Sequence, residues 1–134
     1  MSTTRIVSIL FYVAAGYDFL VGAIFLFVAP MMFDVLKDIP PNHWGYIQFP
    51  ALTMMIFGVM FYQMAQKPEH NKNLIPYGVM FKFSYAGVVI WHWIAHHNVP
   101  FIWKPFAIID VIFLVSMLWA MNAIARITKP MQTY

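Results

Sequence analysis

The 134-residue chain is one domain by length, but its 62% hydrophobic and 10% charged content departs from the soluble pattern of about 45–50% and about 25%. A soluble domain of this size buries only about two-thirds of its surface, so the apolar excess calls for lipid as solvent. The net charge of +3 comes from scattered basic residues with no run of the kind that binds nucleic acid, and the absence of cysteine removes disulfides, thiolate metal sites and thiol nucleophiles.

Four apolar runs near the length of about 20 residues that crosses a bilayer lie at roughly 6–29, 45–65, 74–96 and 102–125. The first follows Arg5 and continues for about 24 residues with Asp18 at its centre, longer than the core of about 7–15 residues in a secretory signal, so it reads as a span. After Pro30, the stretch MMFDVLKD fits either a short helix lying in the outer interface or an irregular loop. The remaining connections, QKPEHNK and HNVPF, are polar or broken by proline. Short loops imply an all-α, antiparallel up-down bundle in which residues 1–134 form a single four-helix transmembrane domain. Arg5, Lys67, Lys72, Arg126 and Lys129 then fall on one side, against Lys37 and Lys104 on the other. The positive-inside bias puts both termini in the cytoplasm and the chain in the inner membrane.

Three charged side chains lie in the interior of the spans: Asp18 in the first, Lys82 in the third and Asp110 in the fourth. Each costs about 2.5–3.5 kcal/mol at a helix centre, so they are expected to face the bundle interior and one another. At 100° per residue, Gly78, Lys82, Tyr85, Val89, His92 and His96 share one side of the third helix. Ala14, Ala15, Asp18 and Gly22 do so on the first, and Trp103, Ala107, Asp110, Leu114, Met117 and Met121 on the fourth. Counting depth along each span gives two polar layers: Lys82 with Asp18 near the midplane, and Asp110 with His92, Tyr85 and Gln48 toward the outer face. If Lys82 reaches both carboxylates, the triad nets one negative charge, which a proton or a cationic group would balance. A buried ion pair that only fixes helix register is the competing explanation.

His92 and His96 have the i, i+4 spacing that aims two imidazoles at one point, and with His43 or Asp34 they are candidate ligands for Zn or Cu. No third ligand is fixed by the spacing, so no metal is assigned. A bis-histidine haem needs interior histidines on two helices, and only the third has one. The span methionines show no repeated array and read as adaptable packing or the wall of a lipophilic pocket. No nucleophile elbow, phosphate loop or zinc-protease motif is present, and the residues name no cofactor.

With YDFLVGAIFLF followed by Pro30, then FGVMFYQMAQ, GVMFKFSYAG and IIDVIFLVSML, the chain resembles small four-helix bacterial membrane proteins of the DoxX-like sort over roughly residues 6–125. The resemblance is carried by Tyr17-Asp18, Gly22, Pro30, Gly58, Lys82 and Asp110. It implies a four-helix inner-membrane fold and, from some relatives, quinone-coupled sulfur oxidation within larger assemblies. The sulfur chemistry is not carried over to a chain without cysteine, and the His-rich end of the third helix departs from the family.

These readings converge on a bundle whose interior, opening toward the outer leaflet, binds a small lipophilic molecule such as a quinone, isoprenoid or lipid, with Asp18, Gln48, Lys82, Tyr85, His92 and Asp110 as the polar contacts. Any chemistry there would be proton transfer by His92 and Asp110. The alternatives are a non-catalytic subunit of a larger respiratory or transport complex, packed through its small residues, and a proton or ion pathway that needs oligomerisation to enclose a channel.

Overall fold

The computed structural model describes residues 1–129 and contains four long helices: α1 (Thr3–Leu36), α2 (Gly45–Gln66), α3 (Ile75–Ala95) and α4 (Lys104–Ile127). One-turn 3-10 segments, Lys72–Leu74 and Phe101–Trp103, lead into α3 and α4. All four helices are long and apolar enough to cross a membrane. Their outer surfaces expose large apolar side chains such as Phe27, Phe49 and Ile94, which water would not tolerate in such number. The chain is thus a multi-pass α-helical membrane protein.

Neighbouring helices run antiparallel. Ser8 Oγ donates to the Ala65 carbonyl, Gly58 lies against Ala15 and Phe19, and Gly22 against Ala51, so numbers rise along α1 as they fall along α2. The same crossing order relates α3 to α4 through Gly78–Met117, Lys82–Asp110 and Tyr85–Trp103. Small residues set the α1–α2 spacing: a Cβ on Gly22 would stand 2.6 Å from the Ala51 carbonyl oxygen, and one on Gly58 2.9 Å from the Phe19 amide nitrogen. Close backbone approach of this kind is how helices gain packing in lipid, where hydrophobic burial between them contributes little.

Two apolar clusters occupy the ends of the bundle. Phe11, Phe61, Met64, Ile75, Met117 and Ile124 fill the end where α1 begins and α4 finishes. Phe25, Ala29, Phe33, Ile47, Ala51 and Ile102 fill the other.

The first helix is longer than the sequence pattern indicates. Residues 31–36, expected as a separate interfacial helix or a loop, continue α1 without interruption through Pro30. Proline removes one backbone bond, to residue 26, and normally kinks a helix. Here the apolar stripe Phe25, Ala29, Phe33 stays buried beyond it, and Phe33 packs edge-on against Trp44 and Trp103 at centroid distances of 5.7 and 6.0 Å. At about 1.5 Å per residue a helix of this length runs about 51 Å, well past a hydrocarbon core of about 30 Å. It stops at Lys37, whose left-handed backbone (φ 54°) lets the Lys37 and Asp38 amides donate to the carbonyls of Asp34 and Phe33. This is the Schellman arrangement with lysine where glycine is usual. Asp38 then turns across the bundle end and accepts from the Ile102 amide at 3.0 Å, satisfying a donor at the entrance to α4.

Candidate functional site

Asp18, Lys82 and Asp110 meet between the two apolar clusters. Lys82 Nζ donates to Asp18 Oδ1 at 2.6 Å and to Asp110 Oδ1 at 3.0 Å. Asp18 and Lys82 are fully buried and Asp110 is 4% exposed. One ammonium therefore bridges carboxylates from two other helices in a single cluster. The two layers counted from helical rise merge, because the long lysine stem spans the difference in depth.

Each helix delivers its group on a face cleared by small neighbours. Ala14, Ala15 and Gly22 flank Asp18 on α1, Gly78 and Ala86 flank Lys82 on α3, and Ala107 precedes Asp110 on α4; all are buried. Aromatic rings then enclose the ammonium: Phe113, Tyr17, Phe81 and Phe61 stand with centroids 5.0, 5.2, 5.4 and 6.0 Å from Nζ. Ring faces attract a cation more strongly where water is excluded. With both carboxylates ionised the cluster nets one negative charge, and its desolvation is recovered only through short, charge-assisted hydrogen bonds. The satisfaction is incomplete, since Asp18 Oδ2 and the Tyr17 hydroxyl are buried without a hydrogen-bond partner. Buried polar atoms of this kind normally find one.

A cavity of about 610 Å³ begins at this level and extends toward the α2 N-terminus, inside the range of about 300–1,000 Å³ of small-molecule sites. Helices α2 and α3 touch through the stacked Phe57–Phe81 pair at 3.9 Å, then part. Tyr46 and Phe49 of α2 and Ser84 and Val88 of α3 line the cavity and are themselves exposed, so its mouth lies in the α2–α3 seam and faces the lipid-covered surface. Phe25, Phe81, Trp103 and Phe106 form the walls, with Tyr17 and Asp110 at the triad end. Tyr85 also lines it, and its hydroxyl donates to the Trp103 carbonyl at 2.9 Å.

Of the six residues expected to supply polar contacts, Asp18, Lys82, Asp110 and Tyr85 lie at or beside this cavity. Gln48 and His92 do not. Gln48 is exposed while its neighbour Ile47 is buried, because the inward face of α2 runs through Ile47 and Ala51. His92 is exposed too; Val89 is the last buried residue of α3, and beyond it the helix has outrun its packing partners. The expected His92–Asp110 proton-transfer pair is therefore not formed. The histidine candidates for a metal are dispersed: His92 and His96 have rings 5.3 Å apart on the exposed end of α3, while His43 Nδ1 accepts from the Gly45 amide at 3.0 Å. Among the described residues no three His, Asp or Glu side chains gather as a metal site would require. What sequence reasoning missed is the ring set around the ammonium; Tyr17 entered only through the resemblance and its place beside Asp18, with no role assigned, in a chain that is 19% aromatic.

No protein-family model matches the chain, and no curated protein or solved structure matches it either.

Proposed function

We propose that this chain is a polytopic inner-membrane protein, with both termini in the cytoplasm, that binds a small lipophilic molecule of the quinone, isoprenoid or lipid kind in the cavity beside the Asp18–Lys82–Asp110 triad. One observation carries the reading: an apolar cavity with its mouth on the lipid-facing surface ends on a buried carboxylate and on a hydroxyl that has no partner. Apolar walls with a few convergent polar groups are the usual makeup of such sites. An ion pair kept only to fix helix register needs no adjoining space. The four-helix plan and the positions of Tyr17, Asp18, Lys82 and Asp110 also suit the proposed DoxX-like kinship.

The subunit reading keeps a narrower base: of the small residues that would serve helix contacts, Ala14, Ala15, Gly22 and Ala86 are spent inside the bundle, whereas Gly16 is exposed and Ala23 and Gly87 are half-buried. A proton relay lacks its outer step once His92 stands on the surface. Purification in mild detergent followed by solvent extraction and mass spectrometry tests the proposal: one recurring lipophile at about one per chain is expected. Empty, monodisperse protein that co-purifies with large partners would favour the subunit reading instead.

A further inference from the structure

We infer that the head group this cavity selects is cationic, so that its ligand is a lipophilic organic cation such as a hydrophobic amine or quaternary ammonium; this rests on the ligand-binding reading above. Within the broad class of hydrocarbon-soluble molecules, it favours a positively charged head over a neutral quinone or isoprenoid.

Charge is the first argument. Asp110 is the sole charged residue among those lining the cavity, while Lys82 and Asp18 lie behind the wall. The Asp110 carboxylate spends one oxygen on Lys82, which leaves the other for a ligand. The triad's surplus negative charge, in a setting of low dielectric, is balanced best by a positive charge brought within a few ångströms.

Hydrogen-bond polarity is the second. Tyr85, Ser84 and Thr53 have each committed their hydroxyl proton to a backbone carbonyl, of Trp103, Phe81 and Phe49 respectively. They face the cavity as acceptors. A quinone carbonyl would find a single free donor there, the Tyr17 hydroxyl, whereas a protonated amine finds several acceptors. The walls suit a cation as well: Tyr17, Phe25, Phe81, Trp103 and Phe106 present rings of the type that already surrounds the Lys82 ammonium. The titratable groups around Asp110 are Asp18 and Tyr17 of α1 and Lys82 and Tyr85 of α3, and α2 adds only Tyr46 at the mouth.

The test uses the full chain in phosphatidylcholine nanodiscs and two probes of the same shape and opposite charge, tetraphenylphosphonium and tetraphenylborate, with decylubiquinone as a neutral third. Saturable tetraphenylphosphonium binding near one per chain is expected, preferred over tetraphenylborate by at least about tenfold and losing about that factor in Asp110→Asn. Val88→Trp, at the exposed mouth, should weaken every probe. Equal binding of the two ions, or an Asp110→Asn affinity unchanged within twofold, overturns the cationic assignment and leaves a proton as the partner of the charge. Saturable decylubiquinone binding that Val88→Trp blocks, without tetraphenylphosphonium binding, overturns it while sparing the cavity. Failure of all three probes overturns both.

Discussion

Removing the Lys82 ammonium while Asp18 and Asp110 stay in place strands two carboxylates in a dry interior. Lys82→Met is therefore expected to cost about 3–5 kcal/mol, the usual penalty for breaking a buried pair from one side, read as a lowered unfolding midpoint in detergent. The triple change Asp18→Asn, Lys82→Met, Asp110→Asn removes the charges together. It should recover most of that stability and still abolish ligand binding; a triple variant that stays as unstable as Lys82→Met would show the cluster to be needed for folding. The three charged positions are legible in the sequence because hydrocarbon penalises each of them, which leaves convergence as the economical solution. His92 and Gln48 mislead for separate reasons. A face drawn at helical spacing continues past the point where a neighbour still covers it, and on α2 the buried stripe lies one residue away, at Ile47.

At the scale of elements, span count follows from apolar run length, but where α1 ends does not. Proline reads as a boundary, and only the packing of Phe33 against Trp44 and Trp103, which belongs to distant parts of the chain, carries the helix through it. Asp38 is equally invisible as a cap, because its partner Ile102 is 64 residues away. Asp38→Ala should lower stability by about 0.5–2 kcal/mol, the range for losing a side chain that satisfies a helix-entry amide, measured as a shift in thermal midpoint with ligand binding retained. The α1–α2 seam is more demanding. At Gly58 an added side chain meets the Phe19 backbone, which cannot rotate aside. Gly58→Leu should cost about 1–3 kcal/mol by overpacking, and an unchanged midpoint would mean that the helices are not this close.

Over the whole molecule, the exposed apolar surface and the charge distribution fix different things. The first makes the protein multi-pass; the second proposes which way it faces. Thr4 donates to Glu69 at 2.5 Å and Lys72 to Thr128 at 2.8 Å, so both ends of the described chain and the α2–α3 connection share one side, the side richer in Lys and Arg. The chain has no cysteine, which makes a single introduced thiol a clean reporter: Ser2→Cys should react with an impermeant maleimide only after the membrane is opened, and Asn42→Cys in intact cells. The reverse pattern would invert the proposed orientation. The cavity's place in the α2–α3 seam was beyond sequence reasoning, since it depends on two helices parting after Phe57 and Phe81, and no local pattern encodes a gap. A density map of the protein in native-lipid nanodiscs is the most direct test of the claim that this gap holds a ligand. Compact density against Asp110 and Tyr17, inside the seam between Phe49 and Val88, is the predicted result; α2 and α3 closed on each other, with side chains filling the space, would contradict it.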